Sequence, residues 1–215
     1  MKFLAAIGVF FFALSVCNLA DKFTGKQDTN SAQPTSVTNS KNSNSSLTSS
    51  DNDVEKAEPT AEQTAALANG QEINWDDQAM SWTLPKGWKK ISQTKNSFNY
   101  SSPDLAFLLV NISPMPDTFP VDPSIKAFYD GAVQKQKNGD YETVRYLEID
   151  GVKGIEYTET MPESKGDARR HQWLAYRKYN DQVQMLNVML STKGSNFEKH
   201  RDEFPAILYS MKVAK

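Results

Sequence analysis

Aromatic side chains are absent from residues 24–74 of this 215-residue chain; they occur up to Phe23 and again from Trp75 onward. Aromatic residues supply much of the area that a folded core buries, so residues 24–74 cannot build a core of their own. From residue 27 to residue 53, nineteen of 27 residues are Ser, Thr, Asn or Gln, a composition that favours a flexible chain. We expect residues 21–70 to be a disordered polar linker, with a frayed helix after Pro59 that ends at Gly70.

The N-terminus has the layout of a bacterial export signal. Lys2 precedes an uncharged run over residues 3–20, and the most apolar part of this run covers residues 3–14. A positive residue followed by a short apolar stretch is typical of a segment that directs secretion. We therefore expect residues 1–20 to place the rest of the chain outside the cytoplasm.

The motif Leu14-Ser15-Val16-Cys17 resembles the lipobox of bacterial lipoproteins, in which the cysteine becomes the lipidated first residue of the mature chain. Val16 stands where that family prefers Gly, Ala or Ser. Two alternatives stay open: an uncleaved helical anchor, because the run approaches the length that a bilayer requires, or cleavage after Ser15 and release. In two of the three cases the protein stays at the extracytoplasmic, periplasmic face of the cell membrane.

Charge and cysteine content exclude several classes of function. The net charge is -2 and the pI is about 5.8, so the chain lacks the basic surface that binding to nucleic acid requires. Cys17 is the one cysteine, which leaves no thiol pair for a disulfide or a zinc site in the C-terminal part. We expect no metal and no cofactor.

The part after residue 70 has the size of a typical domain and a strong strand pattern. Alternation predicts a strand over residues 79–84, followed by strands over 97–100 and 105–112. The last of these is almost entirely apolar (LAFLLVNI), so we expect it to be covered on both faces. Asp150-Gly151 and Asn180-Asp181 predict hairpins over residues 141–160 and 172–190.

Two helices complete the predicted order. Asp122 as N-cap and Pro123 as first helical residue begin a helix whose apolar residues recur at helical spacing until Asn138-Gly139. A second helix begins at Ser195 or Asn196 and carries Phe197 and Phe204. Three strands, a helix, four strands and a helix predict an α+β fold over residues 71–215, with a mostly antiparallel sheet of about seven strands flanked by helices.

Two segments resemble the PsbP-like superfamily. The first is residues 82–88 (WTLPKGW), a strand that leads into a tight turn with an aromatic residue; the second is residues 204–213 (FPAILYSMKV) at the end of the last helix. That superfamily includes the photosystem II extrinsic protein, a nuclear Ran-GTPase release factor and DcrB-like bacterial lipoproteins. The resemblance implies an α-β-α sandwich and a role as adaptor or assembly factor. No relative's binding residue matches a position in this sequence.

No catalytic motif stands out, so we expect no enzyme. His171 and His200 are the two histidines; the charged run around His200 predicts a solvated helix face. Arg169, Arg170 and His171 lie together at the start of a strand and are the candidate contacts for a carboxylate- or phosphate-bearing partner. The four tryptophans predict core positions more readily than a ligand groove.

The sequence therefore predicts a membrane-tethered extracytoplasmic binding or assembly module without catalytic activity, whose partner is a protein of the cell envelope. The alternative is a carrier or sensor of a small apolar or anionic ligand, held in a pocket between the sheet and a helix.

Overall fold

The structure, a computed structural model, describes residues 54–213, all of which belong to the unit Leu47–Lys215. The expected signal, Cys17 and the linker up to residue 53 lie outside the described residues. In chain order the elements are β1 (Glu55–Lys56), α1 (Ala61–Ala66), β2 (Gln71–Trp75), β3 (Met80–Leu84), β4 (Lys89–Gln93), β5 (Ser97–Ser101), β6 (Phe107–Pro114), α2 (Val121–Lys137), β7 (Tyr141–Ile149), β8 (Val152–Glu159), β9 (Ala168–Tyr179), β10 (Gln182–Lys193), α3 (Glu203–Tyr209) and β11 (Lys212–Val213). Two 3-10 helices cover Asp76–Gln78 and Gly194–His200. No helix among these residues is long and apolar enough to cross a membrane.

The strands form two sheets. The larger has the order β1-β7-β8-β9-β10-β6-β5-β4 and is antiparallel except for the short pair of β1 with β7. The smaller has the order β11-β3-β2. The predicted class, α+β with a mostly antiparallel sheet, is confirmed, and the large sheet has eight strands. The sequence did not predict β1, β2 and β4, nor the separation of β3 and β11 into a second sheet.

Both predicted hairpins are present, and their turns follow from local backbone chemistry. Asp150 and Gly151 have φ values of 49° and 78°, and Asn180 and Asp181 have values of 49° and 61°. Two successive residues with positive φ form the turn that matches the twist of paired strands, and Asn, Asp and Gly tolerate this conformation best. The turns therefore set the register of β7 with β8 and of β9 with β10.

The main core lies between the two sheets and includes α3. Leu108, Val188 and Trp173 of the large sheet, with Trp82 of the small sheet and Ile207 of α3, belong to one buried cluster. All four tryptophans are buried, as the sequence predicts. On this side a buried apolar layer covers the large sheet around Leu108, Val188 and Trp173, and buried polar side chains lie beside it (Glu156, Arg169, His171).

The opposite face of the large sheet is covered by α2 over β7, β8 and β9. Ile125 and Ala132 of the helix form a second buried cluster with Ile155 and Leu174 of the sheet. The helix begins at Val121 with Pro120 as N-cap and no side-chain capping bond. The predicted start is therefore wrong by two residues. Asp122 and Pro123 both lie in the first turn, where proline is tolerated because backbone N–H groups have no helical acceptor.

The segment before residue 70 differs from its prediction as a flexible linker. In the described part, β1 pairs with β7, and α1 carries a capping box in which Thr60 and Gln63 exchange hydrogen bonds. The helix expected after Pro59 is thus α1, and it contacts α3. The low apolar content misled the prediction because this segment is held by backbone pairing, by polar contacts and by two half-buried side chains, Ala57 and Leu67, that pack against the main core.

Two further predictions need correction. Strand β6 alternates between buried and half-exposed residues, so it is not covered on both faces. The last predicted helix is two helices, Gly194–His200 and α3, and Pro205 lies inside α3. Proline is tolerated there because it is the third residue of the helix, where the missing N–H would have had no helical partner.

Candidate functional site

The three residues singled out from the sequence do not share one surface. Because side chains alternate along β9, Arg169 and His171 lie on the side of α3, whereas Arg170 lies on the side of α2 with Leu174. Arg170 forms an ion pair with Glu159 at 2.7 Å, and its backbone N–H donates to the same carboxylate. The structure therefore brings together Arg169 and His171 but separates Arg170 from them.

Arg169 is buried, and its guanidinium is fully engaged. It forms ion pairs with Glu142 and Glu198, donates through Nε to the backbone carbonyl of Glu159, and lies over the ring of Phe197 at 4.2 Å. A carboxylate or phosphate of a partner would have to displace a protein carboxylate to reach it. Arg169 therefore joins β7, β9 and the 3-10 helix rather than offering a vacant cation.

Arg169 and His171 line a cavity of about 380 Å³, which we call the polar cavity. Its walls come from β7, β8, β9, α3 and the 3-10 helix before α3, and α1 adds Gln63 at its edge. Charged groups of both signs line it, three of them glutamates (Glu142, Glu156, Glu198) and three arginines (Arg145, Arg169, Arg201). These six formal charges cancel, so the cavity offers no net attraction for an ion of either sign.

Glu156 is the centre of this cavity and is only 3% exposed. The Tyr209 hydroxyl donates to its Oε1 at 2.7 Å, and Arg145 Nη1 donates to its Oε2 at 3.1 Å. Burial alone would raise the pKa of the Glu156 carboxyl, but the adjacent His171, Tyr209 and Arg145 together lower it. Glu156 is thus held as a buried anion by three partners from two strands and a helix.

Arg145 links this anion to the start of the described chain. Its Nη1 also donates to the Tyr209 hydroxyl at 2.9 Å, and its other nitrogens bind Glu55 of β1 at 2.8 and 2.9 Å. Burial of Tyr209 beside the Glu156 carboxylate raises the pKa of its phenol. The segment that leads into the domain is therefore pinned to the cavity by one arginine.

His171 lies between a hydroxyl and a carboxylate. Thr158 Oγ1 is 2.9 Å from its Nδ1, and Glu156 Oε1 is 3.2 Å from its Nε2, although the second contact lacks the direction of a hydrogen bond. Hydroxyl, imidazole and carboxylate are the groups of a nucleophile, base and orienting acid. Acyl transfer also needs donors for an oxyanion, and the arginines nearest to Thr158 are engaged by glutamates. The arrangement orients His171 and stabilises Glu156.

Sequence reasoning missed Arg145, Glu156 and Tyr209. The alternation of β8 carried a signal, because Val152, Gly154 and Glu156 share the inward face, and a charged residue at an inward position predicts a buried polar network. No short motif connects these residues, which are up to 64 positions apart.

The prediction for His200 is wrong. It is buried, not solvated: its Nδ1 lies 3.1 Å from Glu203, its Nε2 lies 3.1 Å from Asp104, and its ring stacks on Phe204. Burial alone would lower the pKa of His200, but the two carboxylates raise it. This histidine joins the β5–β6 turn to the start of α3. Within residues 54–213, no group of three or more His, Cys, Asp and Glu residues has the arrangement of a metal site.

A second candidate site is a flat surface beside α2. The side chains of β10, β6 and β5 that point to the α2 side are half exposed, because α2 covers β7, β8 and β9 but not these strands. We call this surface the open face; it consists of Asn99, Ser101, Phe107, Leu109, Asn111, Asn187 and Met189. None of these seven side chains is charged, and its three apolar residues belong to neither buried cluster.

The register of the strands places the centre of the open face in one row. Asn99 pairs with Leu109, and Leu109 pairs with Met189, across β5, β6 and β10. Asn187 accepts a hydrogen bond from Gln172 of β9 at 2.6 Å. The result is an apolar strip rimmed by amide and hydroxyl groups.

No protein-family model matches the sequence, and no curated protein matches it either. Among solved structures, LpqN, described as involved in cell envelope biogenesis of Mycobacterium tuberculosis, is 12% identical; the alignment covers 69% of this chain and 95% of LpqN, with a TM-score of 0.47. Cyanobacterial PsbP from Synechocystis sp. PCC 6803 is 16% identical over 67% of this chain and 92% of that chain, with a TM-score of 0.42.

A protein from Bacteroides thetaiotaomicron is 13% identical over 68% of this chain, with a TM-score of 0.44, and this chain spans about half of its length, 49%. The similar structures thus include a PsbP protein, as the sequence resemblance led us to expect; the narrower DcrB-like lipoprotein type stays a prediction. All three TM-scores are below 0.5, and the function proposed below rests on the residues of this chain.

Proposed function

We propose that this chain is a non-catalytic binding module that is tethered to the extracytoplasmic face of the cell membrane and holds a protein partner on its open face. The observation that carries the proposal is the uncovered half of the large sheet. Leu109, Met189 and Phe107 are half exposed there, whereas α2 covers the same side of the sheet over β7, β8 and β9.

The chemistry of the open face fits a protein surface. Centres of protein interfaces are depleted in charge and enriched in Met and aromatic residues, with a polar rim that hydrogen-bonds. The open face combines an apolar strip with four Asn and Ser side chains and no charge. A membrane surface rich in anionic lipid would instead be matched by Lys and Arg.

The polar cavity supports the non-catalytic part of the proposal. Its cationic and anionic groups are already paired with one another, and Glu156 and Arg169 are engaged by several partners each. Catalytic groups need an accessible reactive atom, whereas these charges join five elements of the fold. We assign the polar cavity to stability.

Site-specific crosslinking in living cells tests the proposal. We expect a photoreactive amino acid at position 109 or 189 to capture the same envelope protein, identified by mass spectrometry, and the same group at Lys137 on α2 to capture none. Leu109→Glu should abolish capture from position 189 while the melting temperature changes little, because Leu109 is half exposed. Equal capture from position 137, or capture that survives Leu109→Glu, would contradict the proposal.

Anchoring is tested separately. We expect labelled palmitate to enter the wild-type protein and not Cys17→Ser, and both proteins to fractionate outside the cytoplasm. If Cys17→Ser is labelled equally, the lipoprotein form of the proposal is wrong; membrane retention without label would favour the uncleaved anchor.

A further inference from the structure

A groove runs along α2 on the side of β8 and β9. It borders the open face, because Leu174 in its wall pairs with Asn187 across β9 and β10. Its main part has a volume of about 320 Å³ between Ala127, Phe128 and Gly131 of the helix and Ile155 and Leu174 of the sheet. A second part of about 300 Å³ shares Ala127 and Phe128 and extends to Phe119 and Tyr176. Apolar groups dominate the lining of both parts.

The glycine in the middle of α2 keeps this groove open. A Cβ atom at Gly131 would meet no atom within 4 Å, so no close approach of another element requires glycine here. Glycine in a helix interior costs about 1 kcal/mol relative to alanine. Packing therefore does not explain why this helix position carries glycine. A need to keep the groove beside Gly131 empty does explain it.

Phe128 shows that the groove is unfilled by the protein itself. Its side chain is 46% exposed although it lines both parts of the groove. Exposed large apolar side chains that border a concave apolar surface are typical of ligand sites.

One cation lies at one end of the groove. Within residues 54–213, the Lys135 ammonium donates to the hydroxyl of Tyr141 at 3.3 Å and lies 5.1 Å from the centre of the Tyr141 ring. The ammonium has three donors, so at least one is available to a carboxylate. From Ser124 to Lys135 the helix rises by about 17 Å, so the groove matches an extended, unbranched chain with one acidic end.

We propose that this groove binds a single-chain fatty acid, with its carboxylate on Lys135 and its hydrocarbon chain between Gly131 and Leu174. The positive charge of Lys135 favours an amphiphile with a carboxylate over an uncharged hydrocarbon. The apolar lining decides for an acyl chain over a small polar anion. The site lies beside the surface assigned to the protein partner and goes beyond that proposal, because its test reads fatty-acid labelling and not protein capture.

The experiment uses a fatty acid that carries a photoreactive diazirine on its chain, added to the full-length protein. After photolysis and digestion, we expect the adducts on peptides that contain Phe128 or Tyr157. Unlabelled lauric acid should compete about fivefold better than its methyl ester, because a surface ion pair contributes up to about 1 kcal/mol. Adducts confined to residues 1–53 would overturn the proposal.

Three variants make the test specific. Gly131→Leu fills the groove and should reduce labelling about tenfold or more, which corresponds to about 1.4 kcal/mol, whereas Gln134→Leu adds the same side chain to the same helix outside the groove and should leave labelling unchanged. Lys135→Gln should remove the difference between acid and ester. Undiminished labelling of Gly131→Leu overturns the proposal, as does capture of a protein segment when Phe128 is replaced by p-benzoylphenylalanine in cells.

Discussion

The polar cavity and the α2 groove lie on opposite sides of the same three strands, and successive residues of β8 alternate between them. Glu156 points into the cavity, whereas Ile155 and Tyr157 point into the groove. Within residues 54–213, each charged group of the cavity has a protein partner. The groove instead is bordered by a glycine beside open space, an exposed phenylalanine and a lysine without a carboxylate partner in this part of the chain. Volume alone does not separate the two. The lining groups of the polar cavity already have protein partners, which assigns the cavity to stability. The lining of the groove leaves open space beside Gly131, which assigns the groove to binding.

The largest effect should come from breaking the buried network of the polar cavity. Glu156→Gln removes the charge that Arg145, Tyr209 and His171 surround, and loss of one partner from a buried ionic network costs about 3 kcal/mol or more. Urea unfolding measures the change. The control is Glu163→Gln, the same substitution at an exposed residue, which should change stability by less than about 0.5 kcal/mol. Equal changes in the free energy of unfolding for the two substitutions would contradict a stabilising role of the cavity.

The second prediction concerns Gly154, on the cavity side of the sheet. A Cβ atom at Gly154 would lie 2.5 Å from Trp173 Nε1 and 2.7 Å from the carbonyl oxygen of Leu174. Gly154→Ala therefore overpacks the main core, and we expect a loss of about 2 kcal/mol in urea unfolding. Tryptophan fluorescence of the folded state should change as well, because Trp173 must move. A neutral Gly154→Ala variant would show that the core is less tightly packed than the contacts indicate.

Local signals account for the parts of the fold that the sequence predicted. The turns at Asp150 and Asn180 and the helical spacing of α2 each act within a few residues, so periodicity and turn chemistry suffice to find them. Strand β4 has five exposed residues and no alternation, and β1 exists because Glu55 reaches a strand about 90 positions later. Such elements depend on pairing partners that a local pattern does not contain.

The candidate sites show the same limit. Arg169 and His171, predicted as partner contacts together with Arg170, line one cavity, but neighbouring residues of a strand point to opposite faces, which separates Arg170 from them. His200 was read as part of a charged helix face because it lies between Lys199 and Arg201. Its burial follows from the stacking on Phe204 and from Asp104, which is 96 positions away. No sequence motif predicts the groove beside α2, because the groove depends on the absence of a large side chain at Gly131 and not on a pattern of residues.

A third prediction concerns pH and sharpens the role of His200 in stability. The pKa of His200 is raised in the folded state, so the folded protein stabilises the protonated imidazole more than the unfolded chain does. The stabilisation should be full below the unfolded pKa of about 6.5 and should be lost as the pH rises through the higher folded value.

His200→Gln isolates this contribution. We expect the variant to be less stable than wild type by about 1.5 kcal/mol at pH 5.5 to 6, since both ring nitrogens face carboxylates, and the difference to shrink toward pH 8.5. Chemical denaturation across this range measures it. A difference that grows with pH would mean that the neutral imidazole is the bound form.

The smallest effect is the one that most directly separates groove from cavity. Gly131→Ala adds a methyl group where no atom lies within 4 Å, so it gains helix propensity without a clash. We expect the free energy of unfolding to rise by about 0.5–1 kcal/mol, opposite in sign to Gly154→Ala. The signs of the two changes in unfolding free energy thus show which side of the sheet is tightly packed at its glycine. If Gly131→Ala destabilises the protein instead, another group already occupies the space beside α2, and the groove is not available to a ligand.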